Sequence, residues 1–268
     1  MHPLIPYFSQ PTIPIGPLTI HGFGIMVALG FWLGGNLAER KAVAYSGDPA
    51  AAERMNRMVG WLVVGTIVGG HLGEILMYEP RVLLTDPMKL LRFWDGLSSF
   101  GGFMACVPLA VWFFRKEGVP FWPNGDALAW GFGLGFGLGR VGCFLAHDHP
   151  GTPTNFWLGV KGICPGGGPE LACHDMGLYE ALAVFAMLGV FKLASLRPRP
   201  PGFYIGLLPA LYGPIRFAME FMRADTAMDV RYAGLTPAQY GSLVLTGLGV
   251  WILATRGPAA ATAGTPTA

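Results

Sequence analysis

Arg140 and Arg216 each fall inside a stretch apolar enough to enter a bilayer. A guanidinium at mid-membrane costs at least ~2.5–3.5 kcal/mol on insertion scales, so each demands a partner or a purpose. Glu220 follows Arg216 at the spacing that puts both on one helical face, and Arg223 lies just beyond. Arg140 is followed by Cys143 and by the polar triplet His147-Asp148-His149. Two readings stay open. In one, Arg216 and Glu220 form a structural ion pair while Arg140 stretches to the membrane surface. In the other, both guanidinium forks converge on an anionic headgroup, because they match phosphate oxygens bidentately, and lipid phosphate is the anion at hand. Tyr212, Gln239 and Tyr240 either join such a site or anchor helix ends at the interface. Glu180 and Glu74, also deep in apolar stretches, are expected to pair with a cation or to take up a proton. His71 and His21 read as hydrogen-bonded packing residues.

The elements that must hold these residues are membrane helices. The 268 residues are 52% hydrophobic and 13% charged, with a mean hydropathy of +0.46, outside the usual range of soluble domains. An all-α, polytopic integral membrane protein follows, with about seven spans at 20–36, 58–78, 98–114, 127–146, 179–196, 202–221 and 240–254. Residues 1–256 read as a single transmembrane domain and residues 257–268, rich in Ala, Thr, Pro and Gly, as a disordered tail. The first span lacks a basic leader and a cleavage site, so it is expected to stay in the mature protein. The loops after spans one, three and five, with the C-terminus, carry ten lysines and arginines against six on the other side. That bias predicts the N-terminus outside and the C-terminus cytoplasmic. A net charge of +2 without a basic stripe argues against a nucleic-acid partner.

Glycines alternate from Gly131 to Gly139 in the fourth span, which reads either as a thin helix crowded on all sides or as a flexible helix lining a cavity. Of the four cysteines none forms a metal-binding CxxC pair, and no metal or cofactor is expected. Cys164 and Cys173 flank one Gly/Pro-rich loop; if that loop faces an oxidising compartment a disulfide between them is possible, and the sequence leaves paired and free thiols equally open.

At these residues the sequence resembles the prolipoprotein diacylglyceryl transferase family, over nearly the whole chain. The family's early motifs are similar to Ile15-Gly16-Pro17-Leu18, Phe23-Gly24-Ile25, Gly69-Gly70-His71-Leu72-Gly73, Trp94-Asp95-Gly96 and Ser99-Phe100-Gly101-Gly102. Its arginine signature resembles Gly139-Arg140-Val141-Gly142-Cys143-Phe144, with Asp148 at the place of a glutamate. Later segments resemble Pro153-Thr154, Trp157-Leu158-Gly159-Val160, His174 to Glu180, and Tyr212, Gly213, Arg216, Phe217, Glu220, Phe221, Arg223 and Asp225. The resemblance implies a bacterial inner-membrane enzyme that moves the diacylglyceryl group of phosphatidylglycerol to the lipobox cysteine of a prolipoprotein signal peptide. It implies that Arg140 and Arg216 hold the phosphate; around them Gly101, Gly102, Tyr212 and Glu180 are expected to line the lipid site, Glu220 to orient Arg216, and Asp148 with Glu180 to support the site. The family's histidine before the paired glycines has no counterpart in Ser98-Ser99-Phe100-Gly101-Gly102, and Phe23, His71 and Cys143 replace a tyrosine, an arginine and an asparagine. Either His147 or His149, flanking Asp148, then supplies the base, or the chain is a diverged paralogue that binds anionic phospholipid without the chemistry. A transporter of an anionic solute is a further class, disfavoured by the lack of paired internal repeats.

Overall fold

The computed structural model of the chain describes residues 3–16, 18–93, 95–224 and 231–256. Trp94, Asp225 and the tail 257–268, all singled out in the sequence, lie outside the described residues. Two compact units are present, Glu39–Asn124 and the remainder, Met1–Ala38 with Gly125–Ala268. The long helices fall on the apolar stretches of the sequence: α1 (Gly22–Ser46), α2 (Ala50–Tyr78) and, after the short α3 (Val82–Thr85), α4 (Ser99–Lys116). There follow α5 (Phe121–Ala146), α6 (Met176–Ala194), α7 (Phe203–Met219) and α8 (Pro237–Arg256). Among the described residues four of these, α2, α5, α6 and α8, are both long and apolar enough to cross a membrane, and α1, α4 and α7 fall below that combination. The protein is therefore mostly helical, with four helices among the described residues that are candidates to span a membrane.

Two small sheets interrupt the helical pattern. Strands β1 (Thr12–Ile15) and β2 (Leu18–His21) form a hairpin ahead of α1. Between α5 and α6, β3 (Pro150–Pro153), β4 (Val160–Lys161) and β5 (Ala172–Asp175) make an antiparallel sheet in the order β3-β5-β4. A connection of this length must satisfy its own backbone groups, and the sheet does so. The disulfide Cys164–Cys173 closes the β4–β5 loop, its Cα atoms 5.3 Å apart.

Within residues 39–124, α2 and α4 meet through glycines: a Cβ on Gly73 would lie 2.5 Å from the Gly101 Cα. His71 is fully buried, its Nε2 2.9 Å from the Lys89 carbonyl and its Nδ1 3.3 Å from that of Gly96, so it is the bonded packing residue its sequence context suggests. His21, in contrast, is exposed at the end of β2.

In the larger unit α5 is one unbroken helix, and its alternating glycines serve two neighbours. Successive positions are 100° apart, so residues two apart face opposite sides and residues four apart share one. Gly131 and Gly135 accordingly face Gly34 and Gly30 of α1, whereas Gly133 and Gly137 receive Leu188 and Phe185 of α6. The crowded thin helix is thus the form adopted. Beside it α7 lies close on α8: a Cβ on Gly249 would approach the Gly206 carbonyl at 2.7 Å. Asp126, buried in α5, accepts the N–H groups of Gly202 at 2.7 Å and Ile205 at 2.9 Å. These belong to the open first turn of α7, which Asp126 therefore caps from a neighbouring helix. Trp130, Phe191 and Tyr204 pack together above this anchor.

A side chain at Gly34 would bring its Cβ within 2.5 Å of the Gly131 carbonyl, whereas Gly189 has open space around it. Gly34→Val is expected to lower the thermal midpoint of the detergent-solubilised protein by several degrees, the cost of overpacking being on the order of 1–3 kcal/mol. Gly189→Val in the same assay is expected to stay within about 0.5 kcal/mol of the parent.

Candidate functional site

The site assembles where α5 ends, α6 begins, α7 ends and α8 begins. α5 closes at Ala146, and His147, in the left-handed region at φ 51, reverses the chain. Its Nδ1 lies 2.8 Å from Asp175 Oδ2, while Asp175 Oδ1 accepts the Leu178 N–H at 3.0 Å and so caps α6. One carboxylate thereby joins the end of α5 to the start of α6. Gly177 makes the junction tight, because a Cβ there would lie 2.6 Å from the Phe144 nitrogen.

That junction sets Glu180, one turn into α6, against Arg140, near the end of α5. Arg140 Nε is 3.0 Å from Glu180 Oε2, and the Tyr212 hydroxyl of α7 donates to the other carboxylate oxygen. The guanidinium also covers the Phe136 ring at 4.9 Å and reaches Cys143 Sγ at 3.8 Å. A cation buried this far is stabilised by its carboxylate and by the aromatic face. Farther along α7, Arg216 lies 2.6 Å from Glu220 Oε2. Glu220 Oε1 is 3.5 Å from Arg223 and accepts the Thr236 hydroxyl at 3.0 Å. Both arginines lie within electrostatic reach of the Tyr212 hydroxyl. Their side chains keep 16% and 22% exposure while Glu180 and Glu220 keep about 5%, so the open edge of the site is cationic. Arg140, Arg216 and Arg223 against Glu180 and Glu220 leave an excess of one positive charge.

Asp148 and His149, about 40% exposed, contact each other just past the turn. The bond from Asp148, then one with Cys143, pushes the His149 imidazole up to about 9 against the cost of burial. Asp148 lies within electrostatic reach of Arg140. His147 takes a different place from the one its sequence neighbour suggests. It pairs with Asp175 rather than Asp148, its ring lies among Tyr7, Phe8 and Phe144, and its Nε2 is buried without a partner. Gly101 and Gly102 belong to the other unit, where Gly101 packs on Gly69 and Gly73 and Gly102 on Thr66. Glu74 lies beside Gly96 in that unit. Gln239 is buried and bonds to Thr236, whereas the Tyr240 hydroxyl turns to the Tyr232 carbonyl.

Three contributors escaped the sequence reading. Thr236-Pro237-Ala238-Gln239 is a capping box with proline at the first helical position, a recognisable signal. It buries a hydroxyl against Glu220. Asp175, preceding the apolar run of α6, carries an ordinary N-cap signal. Asp126 carries none, since a lone aspartate in an apolar helix does not name its partner.

A family model described as prolipoprotein diacylglyceryl transferase matches residues 10–255. A phosphatidylglycerol–prolipoprotein diacylglyceryl transferase of Pseudomonas savastanoi pv. phaseolicola is 33% identical over 271 residues, covering 96% of this chain and 98% of its own. Proteins of the same description from Pseudomonas putida and Solidesulfovibrio magneticus are 33% and 34% identical. They cover 95% and 94% of this chain and 97% and 96% of their own lengths.

Removing Glu220 leaves Arg216 and Arg223 facing the Thr236 hydroxyl without a carboxylate. Glu220→Ala is expected to cost on the order of 2–3 kcal/mol, below the loss for fully enclosed pairs because Arg216 keeps some solvent. Thermal unfolding in nanodiscs measures it, with Glu220→Asp as the variant that retains the charge.

Proposed function

Because the chain belongs to the prolipoprotein diacylglyceryl transferase family, we infer that it moves the diacylglyceryl group of phosphatidylglycerol to a prolipoprotein cysteine thiol and releases glycerol phosphate. The observation that carries the site assignment is the cationic edge made by Arg140 and Arg216, each backed by a buried carboxylate. The two guanidinium groups hold the lipid phosphate, Glu180 with Tyr212 and Glu220 with Thr236 aim them, and the charge developing on the leaving phosphate meets donors already in place. Such preorganisation is worth more here than in water, since the surroundings are apolar.

The lipobox thiol attacks the glyceryl carbon. The carbon–oxygen bond to phosphate breaks, and the electron pair departs with the phosphate oxygen. Asp148 accepts the thiol proton and its partner His149 donates one to the departing phosphate. His149 suits this task better than His147 because it stays half-buried beside Asp148 and Cys143, whereas the aromatic rings enclose His147. His147 acts through Asp175 as a positioning residue.

In this reading the chain spans a bacterial inner membrane seven times, with the N-terminus outside. Two features support that orientation: the bias of basic residues among the loops, and the Cys164–Cys173 disulfide in a loop that the bias puts outside, where disulfides persist. The site then opens toward the side on which prolipoproteins emerge.

The test is restoration of lipoprotein modification in cells depleted of their own transferase, together with transfer from phosphatidylglycerol to a lipobox peptide in vitro. The parent is expected to work in both. Arg140→Ala and Arg216→Ala are each expected to lose roughly 100-fold or more in transfer rate, with Lys at either position recovering part. Failure of the well-expressed parent, or full activity in both alanine variants, would sink the assignment.

A further inference from the structure

We propose that Cys143, Asp148 and His149 form a binding site for a divalent transition cation of the zinc class. The thiol sulfur, one carboxylate oxygen and one imidazole nitrogen lie within 4.8 Å of one another. A cation held at ~2.0–2.3 Å from each ligand needs them about 3.5 Å apart, which small rotations of Asp148 and His149 supply. Both side chains are about 40% exposed, so the cation has an entry path, whereas Cys143 is buried at 7% and forms the fixed floor.

The donor set decides the class. One sulfur, one nitrogen and one oxygen suit zinc and cobalt(II) and are too soft for magnesium or calcium. Charge also closes: a thiolate and a carboxylate neutralise a divalent ion. The nearby Arg140, 3.8 Å from Sγ, is already offset by Glu180 at 3.0 Å. Three protein ligands leave a fourth position for water or an anion. The sequence hides this set, because its ligands become neighbours only when His147 turns the chain back over the end of α5. Occupation has a consequence that rests on the proton-transfer roles given above to Asp148 and His149: a bound cation withdraws both, so zinc inhibits transfer.

Titration of the full-length protein in detergent with cobalt(II) chloride is the test. One equivalent is expected to produce thiolate-to-cobalt charge-transfer absorption, which Cys106→Ser retains and Cys143→Ser loses. His149→Gln is expected to weaken the affinity at least ~10-fold. Absence of the charge-transfer band, its persistence in Cys143→Ser, or unchanged affinity in His149→Gln overturns the site. The last measurement stands alone if Cys143→Ser does not fold. Added zinc chloride is expected to inhibit the parent and to leave Cys143→Ser unaffected, each compared with its own metal-free rate. A cobalt band without zinc inhibition supports the site and counts against the proton-transfer roles of Asp148 and His149 instead.

Discussion

A guanidinium inside a helix bundle has to find a carboxylate, and the bond from Arg140 to Glu180 determines how the ends of three helices are arranged. It can form only if the last turn of α5 and the first turn of α6 lie side by side, which is why the chain between them folds as a pinned sheet and not a loose loop. Asp175 does the pinning from both sides, capping α6 while holding the imidazole of the turn that ends α5. Tyr212 then brings in α7, because Glu180 has a second oxygen to satisfy. The same logic recurs one turn later: Glu220 faces two arginines, and the start of α8 supplies the hydroxyl that completes its surroundings.

Glycine makes these bonds geometrically accessible. Helices whose side chains hold them 8–10 Å apart leave little freedom to tune a charged contact, whereas small residues let backbones meet. The alternating glycines of α5 do this on two opposite faces, so the helix that carries Arg140 is gripped by α1 on one side and α6 on the other. α7 is fixed at both ends by different means. Asp126 holds its first turn and the close glycine contacts with α8 hold its body. Arg216 therefore projects from a rigid segment despite the two prolines within α7.

What the sequence disclosed tracks the range of the interactions. The Arg216–Glu220 pair was legible because both residues share one helix face, and spacing alone specifies the contact. Glu180 was legible as a carboxylate in need of a cation, but not which one, since its partner comes from another helix. The long helices were legible from apolar length, while their ends were not: α2 begins eight residues before its apolar stretch, where Asp48 accepts the Ala50 N–H and pairs with Arg54 at 2.5 Å. The sheet between α5 and α6 escaped because its strands are only two to four residues long and one of them, Pro150–Pro153, consists of Pro, Gly and Thr. Adjacency in sequence left open whether His147 meets Asp148; His147 takes a left-handed conformation and its Nδ1 lies 2.8 Å from Asp175, a residue 28 positions on.

The loss of the family's histidine bears on the chemistry less than the count of motifs suggests. Phosphate departure needs positive charge in place before the bond breaks, and in the mechanism proposed above that demand falls on Arg140, Arg216 and the carboxylates paired with them. Proton transfer needs only a titratable group within reach of the reacting atoms, a looser requirement that the proposed mechanism assigns to Asp148 and His149 at the edge of the same site. A buried ion-pair network is hard to move, because every member removed leaves a charge without its partner. The half-exposed pair at the turn is easy to change, since water replaces what is lost. If the proposed roles hold, change among the proton-transfer groups around a retained pair of arginine ion pairs is the order that these energies favour.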